Sequence, residues 1–156
     1  MGDMVETKSK IQPLLSYFLQ TKLNKTDRIF KESLLQAYVN HYFASSSTYT
    51  FLMQSRQAHE KFIGMSLVKW EYENLYHALQ LGLQYKIRIF NMWDCLSKYL
   101  KTMNKQPERL ALTQDVYDKL SQYEKEHLYP EIKRDTHNVL VRFRYLYWKS
   151  RPLFFS

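Results

Sequence analysis

Leu67-Val68-Lys69-Trp70-Glu71-Tyr72-Glu73-Asn74-Leu75-Tyr76-His77-Ala78-Leu79-Gln80-Leu81-Gly82 reads as a strongly amphipathic helix without catalytic character. Leu67, Trp70, Asn74/Leu75, Ala78 and Leu81/Gly82 recur at three- and four-residue steps, which places them on one helical face. Ala78 and Gly82 are small enough for a neighbouring helix backbone to come close. Asn74, a lone amide in an apolar stripe, predicts a bond that fixes register between helices; the functional alternative is a clamp on a peptide backbone. An element of this kind belongs to a helical array and points to binding by shape.

The rest of the chain agrees with an all-α fold. Three glycines and four prolines in 156 residues are too few for the tight turns of a β-sandwich or barrel. The hydrophobic share of 45% supports a folded core, and the 13 tyrosines suit helix seams that leave a hydroxyl near water. Asn24-Lys25-Thr26-Asp27, Ser45-Ser46-Ser47-Thr48, Gly64, Asn104-Lys105-Gln106, Pro107, Pro130 and Pro152 act as punctuation. They divide the chain into about seven helices, stacked as antiparallel pairs in a tetratricopeptide-like array. The expected stripes are Phe30, Leu34, Ala37/Tyr38 and His41/Tyr42; Phe51/Leu52, Ser55, Ala58/His59 and Phe62; Ile89, Trp93, Leu96, Leu100 and Met103; Leu110, Thr113, Val116/Tyr117, Leu120 and Tyr123; and Ile132, Thr136, Val139/Leu140, Phe143 and Leu146/Tyr147. Residues 1–10 form a polar, disordered tail, 11–150 a single helical domain, and 151–156 an apolar C-terminal tail suited to self-association. Within the domain, residues 11–47 and 48–150 form two groups of helices.

Three segments carry a family likeness. Ile11-Gln12-Pro13-Leu14-Leu15-Ser16-Tyr17-Phe18-Leu19 resembles the His-Pro-Leu-Leu-Arg-x-Phe/Tyr segment in the winged-helix region of signal-transduction ATPases with numerous domains (the AP-ATPase and MalT-like regulators), with Gln12 in place of the usual histidine. Ala37-Tyr38-Val39-Asn40-His41-Tyr42 resembles the helix that follows it. Glu71-Tyr72-Glu73-Asn74-Leu75-Tyr76-His77-Ala78-Leu79 is similar to the Glu-x-Asp-Asn-Leu-Arg-Ala-Ala-Leu helix that leads into that family's tetratricopeptide-like repeats. The likeness covers about residues 11–125. It implies winged-helix-tail helices over 11–47 and the start of a sensor arm over 48–150, a non-enzymatic signalling module that binds protein or peptide. The sequence has no Gly-x-x-x-x-Gly-Lys-Ser/Thr loop, so ATP hydrolysis does not transfer.

No cofactor, metal site or catalytic residue is expected. His41, His59, His77, His127 and His137 include no i, i+4 pair, and Glu71 and Glu73 point to different helical faces. Cys95, the one cysteine, rules out an internal disulfide and reads as a small core residue. No apolar run approaches the roughly 20 residues of a membrane span, so the chain is expected to be cytoplasmic without membrane partners. From helical facing, the candidate partner-binding residues are Trp70, Glu73, Asn74 and His77 on one helix and Asp94, Lys98 and Lys101 on the next.

The net charge of +8 favours acidic partners. Arg134, Arg142, Arg144, Lys149 and Arg151 are candidate phosphate contacts, interleaved with Tyr145, Tyr147 and Trp148. Arg134, Asn138, Arg142, Tyr145 and Lys149 share a face opposite the apolar stripe, which a solvated outer surface also explains. The alternative reading is therefore a small basic nucleic-acid-binding helical protein.

Overall fold

The computed structural model describes residues 21, 28–124 and 128–150. Among them it is all-helical, with α1 at Arg28–Met53, α2 at Ala58–Gln84, α3 at Phe90–Thr102, α4 at Gln106–Ser121 and α5 at Pro130–Ser150. The first expected helix, the tails at 1–10 and 151–156, and Arg151 lie outside the described residues.

Two expected breaks are absent. The Ser45–Thr48 run is continuous helix within α1. Ser47 and Thr48 face outward, while buried Ser46 donates its hydroxyl to the Phe43 carbonyl at 2.9 Å, which satisfies it inside the helix. The chain reverses instead at residues 54–57. There the Ser55 hydroxyl accepts the Gln57 N–H at 3.1 Å and donates to the Glu60 carboxylate at 2.5 Å. Gly64 does not close a helix either; it lies inside α2, where an added Cβ would meet Met53 N at 2.6 Å and Leu52 Cβ at 2.8 Å. Its missing side chain lets the end of α1 cross directly on α2. Gly82 serves a related purpose, since a Cβ there would meet the side chains of Ile89 at 2.5 Å and Val39 at 3.3 Å. Side chains, rather than a backbone, fill the space at Gly82.

The correction to the helix boundaries also corrects the stripes. On α1 the buried residues are Leu35, Val39, Tyr42, Ser46 and Met53, one position on from the expected face, and Phe30 is 55% exposed. Phe51 and Phe62, expected inside, are 73% and 72% exposed, because they flank the true turn. On α2 the buried residues include Val68, Leu75, Ala78, Leu79 and Leu83, and Trp70 is exposed. The stripes of the later helices hold in the middle and fail at the ends. Ile89, Trp93, Leu96 and Leu100 are buried, as are Thr113, Val116 and Leu120, and Ile132, Thr136, Val139 and Phe143; Met103, Leu110 and Tyr147 are exposed.

Both ends of α3 are set by tight C-terminal turns on either side of it. After α2, Ile87 N–H bonds the Gly82 carbonyl at 2.8 Å and Lys86 N–H bonds Leu83 at 3.4 Å, with Lys86 at φ 54°. After α3, Lys105 N–H bonds Leu100 at 2.8 Å and Asn104 N–H bonds Lys101 at 3.1 Å, with Asn104 at φ 58°. Both are Schellman closures, and asparagine tolerates the left-handed position better than lysine. Pro107 and Pro130 stand in the first turns of α4 and α5, where no N–H is needed.

The principal packing joins each helix to the next, and α3 to both members of the α1–α2 hairpin. α5 lies on α4 and α3. The core runs from Val39 and Val68 through Leu75, Leu79, Met92, Trp93, Cys95 and Leu96 to Val116 and Val139.

Candidate functional site

The two halves of the expected partner site have different surroundings. Asn74 and His77 lie on the side of α2 that meets α1. The Asn74 side chain donates to Glu71 at 2.8 Å, within its own helix, and the Asn74 backbone carbonyl accepts the Tyr38 hydroxyl at 3.4 Å. Glu71 accepts the Tyr42 hydroxyl at 3.0 Å, so Glu71 bridges the two helices and the Asn74 amide holds it from within α2. Sequence reasoning treated Glu71 only as half of a carboxylate pair. Its place three residues before Asn74, on the same face, was the signal for its role. Burial, then Glu71, raises the Tyr42 hydroxyl pKa well above its usual value, and Tyr49 is raised by the same two causes. His77 stands edge-on to Tyr38 at 6.0 Å, and burial lowers its pKa from 6.5. This cluster is a structural seam. Trp70 and Glu73 are exposed beside it.

Asp94 and Lys98 belong to a second cluster that faces α5. Asp94 accepts Lys98 at 2.7 Å and also pairs with Arg142 of α5. Arg142 in turn lies 4.9 Å over the Phe90 ring. Arg109 donates to Ser97 at 2.9 Å, and burial lowers its pKa against the opposing pull of Asp94. Lys101 is exposed in the last turn of α3.

Asp94 also borders a groove of about 240 Å³ between α1 and α3, lined by Ser47, Thr50, Phe51, Gln54 and Asn91. Its lining combines the neutral side chains of Ser47, Gln54 and Asn91 with the exposed Phe51 ring and the Asp94 carboxylate, which is paired with Arg142; the Thr50 hydroxyl is buried beneath it. Such a surface offers hydrogen bonds to a peptide backbone and an apolar contact to one side chain. A second groove, of about 410 Å³, lies where the α2–α3 turn meets α1 and the start of α5. Arg88 crosses it, paired with Asp135 at 2.9 Å and stacked 4.7 Å over Phe43.

The basic residues of α5 are not equivalent. Arg134, Arg144 and Lys149 are exposed, whereas Arg142 is tied to Asp94 and so does not stand on a wholly solvated face. Cys95 is buried, and burial lifts its thiol pKa to about 12, which makes it a poor nucleophile. Among the described residues no three His, Cys, Asp or Glu side chains gather in a way that could hold a metal ion. No helix of the described residues is long and apolar enough to cross a membrane.

Comparison with known proteins adds no relative: no family model, no curated protein and no solved structure matches this chain.

Proposed function

We propose that this chain is a non-enzymatic interaction module of stacked helix pairs, and that it docks an extended protein or peptide segment in the groove between α1 and α3. One observation carries the reading: Ser47, Gln54 and Asn91 bring neutral hydrogen-bonding groups to a groove that also has an exposed Phe51 and the Asp94 carboxylate in its lining. The packing of each hairpin on the following helix supports a tetratricopeptide-like arrangement. The resemblance to the sensor arm of signal-transduction ATPases supplies the setting, signalling in the cytoplasm. Asp94 lines the groove and Lys98 reaches it only through its pairing with Asp94; Asn74 and His77 serve the α1–α2 seam, and Trp70, Glu73 and Lys101 stand outside the groove.

Selection of a displayed peptide library on the folded protein tests this. Selected peptides are expected to lose affinity by about tenfold in Phe51→Ala and Asn91→Ala, the cost of removing an interface anchor, and to be indifferent to Lys101→Ala. Peptides that bind equally well to all three variants would overturn the assignment to this groove.

A further inference from the structure

The outer face of α5 has a regularity that the fold does not use. Arg134, Asn138, Val141, Tyr145 and Trp148 follow one another at steps of four, three, four and three, and all five are exposed. This is the heptad spacing of a helix that packs along another helix. The same helix already has a buried stripe, Ile132, Thr136, Val139 and Phe143, on its opposite side. Any line along a helix steps by three and four; what a purely solvated face does not call for is Val141 51%, Tyr145 66% and Trp148 73% exposed in a single row. The charges beside this row are one-sided. Lys149 follows the seam on one flank, where Arg142 is already paired with Asp94, and Arg144 precedes it on the other. Asp135, the one acid in a flanking position, is buried and paired with Arg88. From residue 136 to 150 there is no Asp or Glu.

We infer that the outer face of α5 docks an amphipathic helix of a separate partner protein whose apolar seam is flanked by acidic residues. Val141, Tyr145 and Trp148 supply the apolar row, and Asn138 fixes register as a polar seam residue does in paired helices. Arg144 and Lys149 select glutamate or aspartate on the facing edges. Lys149 is already held 5.8 Å over the Tyr145 ring, so a cation is placed at the edge of the seam before binding. A second copy of this chain is the wrong occupant, because pairing two such faces sets basic flank against basic flank. Nucleic acid would use the cations but has no use for Val141 or for the heptad step. This surface lies on α5 and does not depend on the α1–α3 groove.

The test titrates the full chain with two synthetic three-heptad helices by fluorescence anisotropy. Both carry leucine at the seam, one with glutamate flanks and one with lysine flanks. The acidic helix is expected to bind, more weakly as salt rises, while the lysine helix does not bind. Trp148→Ala and Arg144→Glu are each expected to weaken binding by about tenfold or more, at unchanged circular dichroism, and Arg144→Glu with Lys149→Glu to shift preference to the lysine helix. Failure of the acidic helix to bind, equal binding of both helices, or insensitivity to Trp148→Ala overturns the inference. A dimer of the chain that Trp148→Ala abolishes would assign the face to a second copy. Binding of duplex DNA that needs Arg144 and Lys149 but ignores Trp148→Ala would assign it to nucleic acid. Either of these results also overturns the inference.

Discussion

The α1–α3 body and the α5 end are held by different forces. In the body, Val39, Val68, Leu75, Ala78, Leu79, Met92, Cys95 and Leu96 are all at 0% exposure, packed at a triple junction of helices. α5 sends only Val139 to that depth. Its other apolar contacts are shallower, Ile132 and Phe143 in the buried stripe and Leu140 and Leu146 half-buried against the core, and they are joined by charged and aromatic ties: Arg88 to Asp135, Arg142 to Asp94, and the Tyr117–Phe143–Tyr147 ring stack with centroids 4.4 and 5.8 Å apart. Apolar burial scales with area and ignores salt, while partly exposed ion pairs contribute little and are screened. The body should therefore unfold as one unit, and α5 should open first. A docking face on the less firmly held helix is one that a partner stabilises on binding.

The comparison breaks first at the core. Leu79→Ala removes a fully buried side chain between α2 and its neighbours and should cost about 3 kcal/mol, lowering the midpoint of thermal unfolding by about 10 °C. A loss under about 1 kcal/mol by chemical denaturation would mean that the junction is loosely packed. The second break is at the tie to α5. Arg88→Ala leaves the Asp135 carboxylate, 6% exposed, without its cation, and removes the stacking on Phe43. Loss of one member of a buried pair costs about 3–5 kcal/mol; Arg88 is 41% exposed, which reduces the figure to roughly 2 kcal/mol. Hydrogen exchange should show the loss in α5 amides before α2 amides, and adding Asp135→Asn should restore part of it. Uniform loss across both helices would show that body and end are one cooperative unit.

The same contrast explains what could be read from the sequence. The stripes of α3, α4 and α5 were legible because proline and asparagine mark their boundaries and the apolar residues keep strict helical steps. α1 and α2 were misdivided because local propensity was given priority over tertiary burial. The serine run favours a break in isolation, yet Ser46 falls on the heptad that continues from Val39 and Tyr42 to Met53, and its hydroxyl bonds within the helix. The true turn at 54–57 has no glycine or proline, and only Ser55 announces it. The Asp94–Arg142 pair spans 48 residues, a distance at which no local pattern gives warning. Of the expected site, Asp94 lines the groove and Asn74 and His77 lie in the seam, while Trp70, Glu73 and Lys101 belong to neither.

A smaller effect sharpens the boundary between the two regions. Lys86 occupies the left-handed position in the turn from α2 to α3, which costs a non-glycine residue about 1 kcal/mol. Lys86→Gly should raise stability by about that amount, less a few tenths for losing the cation 5.6 Å over Tyr123. Chemical denaturation measures the gain. A destabilised variant would show that the contact to Tyr123, and not the backbone, sets the turn.

The smallest effect is one of pH, and it belongs to the body alone. Burial against α1 depresses the His77 pKa from 6.5, so the folded state favours the neutral ring. The unfolded chain then binds a proton at a pH where the folded chain does not. The contribution of His77 is fully present above about pH 6.5 and is lost as pH falls from there through the lower folded value. Denaturation midpoints measured between about pH 8 and pH 5 should decline on the acid side, and His77→Gln should flatten the part of the decline nearest neutrality. Because His77 sits at the edge of the Tyr38 ring in the α1–α2 seam, that decline should appear in global unfolding and leave the difference between α2 and α5 exchange unchanged. A pH response confined to α5 amides would place the sensitive group at the end of the molecule and reverse the assignment.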